Sequence, residues 1–251
     1  MTECERRWFR RAADQGHAAA QCDLGLLYRT GLGAPQDFAK ALEWFRLAAD
    51  QGERMAQRNL GLMYANGQGV PQDYSEAAKW YGLAAEQGDL DAQYHLGVLH
   101  LKGLGGRQDY RQAAIWFRRA AEQGNAKAQH DLGAMYGNGY GVPQNYAEAA
   151  KWYRLAADQG IANAQLRLAI MYRRGEGVPQ DYIAAAALCR LAAVRGLADA
   201  QSLLGYMYDE GSGVLKTTPR PRNGFASQLS KVDPAINMIS AGGTLMAGAR
   251  H

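Results

Sequence analysis

Within residues 53–88, apolar and polar positions alternate in a way that predicts two helices and a tight loop. Ala56, Leu60, Met63 and Tyr64 recur at helical spacing and define one buried stripe, which is the first helix. Asn66-Gly67 stops it, because glycine accepts the left-handed conformation that a C-terminal cap demands. Gly67, Gly69 and Pro71 make the loop, and Asp73 opens the second helix. Asp73 and Glu76 form a capping-box pattern that Asn145 and Glu148 repeat. The second helix carries Tyr74, Ala77, Ala78, Trp80, Tyr81, Ala84 and Ala85 and ends at Gln87-Gly88. Polar residues after such a turn, as at Asp89 and Asn125, cap the next first helix.

The same unit returns along most of the chain. Trp8, Trp44, Trp80, Trp116 and Trp152 stand 36 residues apart, and no other tryptophan is present. Gln15-Gly16, Gln51-Gly52, Gln87-Gly88, Gln123-Gly124 and Gln159-Gly160 keep the same step, with Arg195-Gly196 as a sixth. A fixed period of roughly 20–50 residues signals a solenoid whose units bury their faces only against each other. The expected fold is all-α, a right-handed superhelical α-solenoid of antiparallel helix pairs. Residues 1–16 are a half repeat holding a second helix only. Five full repeats fill 17–196, a trailing half repeat covers 197–214, and 215–251 form a basic tail expected to be largely disordered or an irregular cap.

Gly61 sits inside the first helix, where it costs about 1 kcal/mol relative to alanine. It recurs as Gly25, Gly97, Gly133 and Gly205, with Ala169 in the fifth full unit. A penalty repeated at one position implies a packing reason, namely a close helix crossing that the Ala84-Ala85 pair and its equivalents also serve.

Charge narrows the range of partners. The tail carries Lys216, Arg220, Arg222, Lys231 and Arg250 against Asp233 alone, which accounts for the whole net charge of +4. The repeat array is formally neutral, whereas a nucleic-acid-binding solenoid needs a basic stripe to neutralise phosphates. The longest apolar run, Tyr182 to Cys189, falls far short of the about 20 residues of a spanning helix. Charged residues from Glu3 to Arg11 leave no signal-peptide core, so no membrane insertion and a cytoplasmic location are expected. Cys4, Cys22 and Cys189 share no repeat column and do not form a disulfide framework.

The pattern Ala56-Gln57, Leu60-Gly61, Tyr64, Gly67, Gly69-Val70, Asp73, Ala77, Trp80-Tyr81, Ala84-Ala85 and Gln87-Gly88 resembles the Sel-one-like repeat (SLR) family, kin of the tetratricopeptide repeat. Local departures are His100 for Tyr, Gly106-Arg107 for Val-Pro and Leu188-Cys189 for Trp-Tyr. The resemblance implies a bacterial, non-catalytic scaffold or adaptor that takes a peptide or partner protein in the concave groove of the solenoid. Some cysteine-rich relatives are described as binding or weakly hydrolysing β-lactams. This chain lacks their within-repeat cysteine pairs and any Ser-x-x-Lys, and that enzyme reading stands only as the alternative. A fragment of a longer SLR regulatory protein is the other alternative. The chain opens in a second helix and leaves the pattern after Val214, so end-to-end self-association is a further expectation.

Across units the scaffold columns stay fixed, while one face of the first helix varies. By analogy with the tetratricopeptide fold, that face lines the groove. Arg58, Tyr94 and His130 occupy one column in successive units, and Leu166 continues it. Leu101, Lys102, Asn138, Arg173 and Arg174 complete the candidate partner-binding set. Arg173 and Arg174, with Arg58, Arg167 and Lys102, are candidates to clamp an acidic segment or a terminal carboxylate. Gly67-Gln68-Gly69 and its equivalents follow a helix rather than a strand and lack a third glycine, so they are loop geometry and not a nucleotide site. His95, His100 and His130 have no metal-ligand spacing, and His130-Asp131 has no nucleophile to serve, so no cofactor, metal or catalytic residue is expected.

Overall fold

A computed structural model describes residues 3–32 and 35–213, and the expectation for 215–251 lies outside the described residues. These residues form twelve helices and no strand: α1 (Glu3–Asp14), α2 (Ala18–Thr30), α3 (Phe38–Asp50), α4 (Arg54–Asn66), α5 (Tyr74–Glu86), α6 (Leu90–Lys102), α7 (Tyr110–Glu122), α8 (Ala126–Asn138), α9 (Tyr146–Asp158), α10 (Ala162–Arg174), α11 (Tyr182–Val194) and α12 (Ala198–Glu210). From α2 onward each pair of bounds advances by the repeat length. Even-numbered helices are the first helices of their units, and odd-numbered ones are the second. Each helix packs on its neighbours in sequence, which is the all-α solenoid that the tryptophan spacing predicts.

The helix glycines have a steric cause. A Cβ added at Gly25 meets the Phe45 ring at 2.7 Å, one at Gly61 meets Tyr81 at 2.6 Å, and one at Gly97 meets Phe117 at 2.7 Å. Gly133 faces Tyr153 with slightly more room, at 3.0 Å. Thus in the first four full units the second helix sets an aromatic ring against the bare backbone of the first. In the fifth full unit both partners change together: Ala169 replaces the glycine, and the small Cys189 replaces the ring, with both fully buried. The Ala pairs complete the close approach, from Ala48 and Ala49 through Ala192 and Ala193, all of them buried.

The tryptophans brace one unit on the one before it. Trp44 packs on the Ala13–Ala20–Leu24 cluster, Trp80 on the core of α3 and α4, and Trp152 on the core of α7 and α8. Trp8, in the first described helix, is 63% exposed.

Two polar ladders run along the array. Gln57 Nε2 donates to the Ala49 carbonyl at 3.3 Å while its Oε1 accepts from Gln87 Nε2 at 2.8 Å. Gln21 with Gln51, Gln93 with Gln123 and Gln129 with Gln159 repeat the arrangement. Gln21, Gln57, Gln93 and Gln129 are buried, and the exposed glutamine of each pair satisfies a side-chain oxygen that would otherwise be costly there. It breaks where Arg195 replaces the glutamine: Arg195 turns to the Gly160 carbonyl, and Gln165 Oε1 is buried without a partner. Arg195→Gln is therefore expected to stabilise the chain by about 0.5–1.5 kcal/mol by restoring the missing donor, measured as a rise in the urea midpoint.

In the second ladder an arginine of one second helix donates to the tyrosine hydroxyl of the next first helix. The pairs are Arg10 with Tyr28, Arg46 with Tyr64, Arg118 with Tyr136, Arg154 with Tyr172 and Arg190 with Tyr208. At the remaining rung Gly82 and His100 stand in for arginine and tyrosine, so the departure at His100 is one half of a coupled change.

The capping-box pattern is half realised. Asp73 Oδ1 accepts from the Ser75 and Glu76 amides at 2.8 and 3.1 Å, but the Glu76 carboxylate accepts from Lys79 Nζ at 2.5 Å. Glu148 is likewise taken up by Lys151. A lysine three residues on competes with the backbone for the glutamate.

Candidate functional site

Helical spacing puts the variable positions on one side of α4, α6, α8 and α10. Lys102, Asn138 and Arg174 are exposed there, while Arg58, Tyr94, Leu101, His130 and Arg173 are half-buried. Leu166 is only 8% exposed and belongs to the core around Ala169, Cys189 and Leu204. Leu101 rests against the cluster of Phe117 and Ala113. Asn138 donates from Nδ2 to the Ala134 carbonyl at 2.8 Å, within its own helix.

The column of Arg58, Tyr94 and His130 is tied to carboxylates. Arg58 Nη1 donates to Asp91 Oδ2 at 2.8 Å and lies 3.6 Å from Asp89, the buried residue that caps α6 by accepting from the Ala92 amide. The Tyr94 hydroxyl reaches across to Asp131 on α8; burial, with Asp131 beside it, pushes the phenol up to about 12. Asp131 also holds His130, Oδ1 to Nδ1 at 2.9 Å. Tyr94 thus stands between His130-Asp131 and His95, whose ring centroid is 5.6 Å from its own. His95 itself stacks on Tyr81 at 5.1 Å and 17°.

Burial lowers the His95 pKa, with Lys127 and Arg58 acting in the same direction and Asp91 and Asp89 opposing. A histidine held neutral in the folded chain contributes stability that is present above its unfolded pKa of about 6.5 and is lost as pH falls through the lowered folded value. Between pH 7 and pH 5 the wild-type melting temperature is expected to drop further than that of His95→Gln.

Only part of the expected cation set converges. Arg167, Arg173 and Arg174 line a cavity of about 290 Å³ between α10 and α12, with Leu166, Ile170, Asp199 and Leu203. Arg58 is engaged by its two aspartates, and Lys102 stands on α6. Asp199 and Leu203 lie outside the sequence-derived set because they stand on α12, in the trailing half repeat, whereas that set was drawn from the full repeats. The two described cysteines, Cys22 and Cys189, are buried and free, with thiols that burial pushes up to about 12 and about 11.

Fixed ladders behind a variable face define the class, a tandem helix-pair solenoid. The Sel1 repeat family model matches residues 6–17, 18–53, 54–89, 90–125, 126–161, 162–196 and 198–216, and the chain belongs to the Sel1 repeat family. Among solved structures, a protective antigen from uropathogenic Escherichia coli strains that displays an SLR fold is 45% identical, with a TM-score of 0.81. The match covers 84% of this chain and 45% of that one, so this chain spans less than half of that relative's length. A Sel1 repeat protein from Oxalobacter formigenes is 37% identical over 82% of each chain, with a TM-score of 0.72. No curated protein matches the chain. Proteins with these repeats commonly serve as protein-interaction scaffolds. No helix among the described residues is long and apolar enough to cross a membrane.

Proposed function

We propose that this chain is a non-catalytic adaptor that holds a peptide or a segment of a partner protein against the variable face of its first helices. The observation that carries the reading is the division of labour within each unit. The Gly–aromatic contacts, the glutamine ladder and the Arg–Tyr ladder recur from unit to unit, while the column of Arg58, Tyr94, His130 and Leu166 changes in size, charge and polarity at every step. A surface that varies over a constant scaffold supports recognition, because the scaffold pre-orders it and the varied side chains set specificity.

The test is capture of partners from native cells by wild type and by Arg58→Gln/Tyr94→Phe/His130→Gln, which keeps side-chain bulk while removing the charge and hydrogen-bonding groups. A partner retained by wild type and reduced at least tenfold on the variant, at unchanged helicity, is the expected result. Equal capture by both would contradict the reading.

A further inference from the structure

We infer that the cavity between α10 and α12 is a binding site for an acidic protein segment in which a bulky apolar residue stands next to a carboxylate. The inference rests on the adaptor reading and specifies the chemistry of one part of its surface.

Three arginines line it, against one acidic residue, Asp199. The Arg173 guanidinium makes no hydrogen bond or ion pair among the described residues: its Nε is buried and unpartnered, and the group lies 5.7 Å from the centroid of the exposed Tyr206 ring. Arg167 takes part in no hydrogen bond or ion pair among the described residues. Among the described residues Arg174 is held only by the 3.4 Å contact with Glu176. On the same face Arg58 is already matched by Asp91 and Asp89, whereas Arg29 of α2, in the column of Arg173, also has a buried, unpartnered Nε. A guanidinium that lines a cavity without a carboxylate partner is open to a charge-assisted bond from a ligand carboxylate.

Leu166, Ile170 and Leu203 give the same cavity an apolar side. Its volume of about 290 Å³ suits one or two side chains and not a folded surface. The position equivalent to Arg173 is Arg29 in α2, Ala65 in α4, Leu101 in α6 and Gly137 in α8, so α4, α6 and α8 offer no cation in this column, and the apolar-walled cavity distinguishes α10 from α2. The charge complementarity thus selects a short acidic stretch with an apolar anchor, laid at the α10–α12 end of the face.

The experiment is fluorescence polarisation of the full chain with labelled eight-residue peptides centred on Leu-Glu-Glu, Leu-Gln-Gln or Ser-Glu-Glu. The Leu-Glu-Glu peptide is expected to bind saturably and at least tenfold more tightly than Leu-Gln-Gln. Replacing leucine by serine is expected to weaken it at least fivefold. Arg173→Gln and Arg167→Gln are each expected to weaken the Leu-Glu-Glu peptide at least fivefold, and Arg107→Gln, in the loop after α6, is expected to change nothing. Absence of saturable binding up to about 1 mM (the weak limit of specific recognition), equal binding of the glutamine peptide, or indifference to both arginine variants would overturn the inference. So would an oligothymidine that binds as tightly with the same variant sensitivity, since the site would then be a phosphate site. Failure of these peptides beside continued loss of the native partner on the Arg58, Tyr94 and His130 variant would sink this inference and leave the adaptor reading standing.

Discussion

Gly97→Ala is expected to destabilise the chain by about 1–3 kcal/mol, although alanine is the better helix former by about 1 kcal/mol. The added methyl would lie 2.7 Å from the Phe117 ring, and that ring is fully buried with no alternative space. Relief requires the two helices of the unit to separate, which also loosens the Ala120–Ala121 contact beside it. Gly61→Ala, at 2.6 Å from Tyr81, is expected to cost as much, and Gly133→Ala, at 3.0 Å from Tyr153, less. Gly205→Ala is expected to reverse the sign, because no atom of the described residues lies within 4 Å and only the gain in helix propensity, about 1 kcal/mol, remains. Urea midpoints of the four variants check the order. The pairing of Ala169 with Cys189 implies that Gly97→Ala/Phe117→Cys loses less than the sum of its single changes, a coupling that a double-mutant cycle reads directly.

Gly141→Ala is expected to have the second large effect, about 2–4 kcal/mol, from two sources that add. Gly141 has φ +69°, a left-handed conformation that alanine adopts only at a cost. Its Cβ would also lie 2.2 Å from the Tyr110 carbonyl oxygen, at the start of the preceding unit's second helix. A backbone atom cannot rotate away as a side chain can, so the loop must lift off α7. Since a solenoid's stability is carried by interfaces between neighbouring units, thermal unfolding is expected to split into two transitions where wild type shows one. Tryptophan fluorescence detected beside circular dichroism would show the split.

These two effects also mark what the sequence alone could and could not yield. The helix pairs, their loop and their period were legible because a pattern repeated at one spacing averages out local accidents. The packing reason for Gly61 and its equivalents was legible as a need, since a penalty paid at the same place in successive units must be answered. Its partner was not, because the residue that meets Gly61 lies twenty positions away on another helix. The glutamine ladder was visible only as punctuation. Gln57 and Gln87 both look like surface residues at a helix edge until the fold buries Gln57 between the Ala49 carbonyl and the amide of Gln87. The candidate face fared similarly. Spacing selected Arg173 and Arg174, yet nothing in a single column announces that Arg58 is held by Asp91, or that Asp199 and Leu203 close the other wall of the α10–α12 cavity.

A photo-crosslinking residue placed at single positions and activated in native cells tests the central claim that the first-helix face is where partners bind. Positions 102, 138 and 174 are exposed on that face, and positions 83 and 155 are exposed on the second helices. Covalent adducts of one discrete mass at the first three and none at the last two is the result predicted here. Adducts confined to positions 83 and 155, or equal labelling at all five, would contradict it.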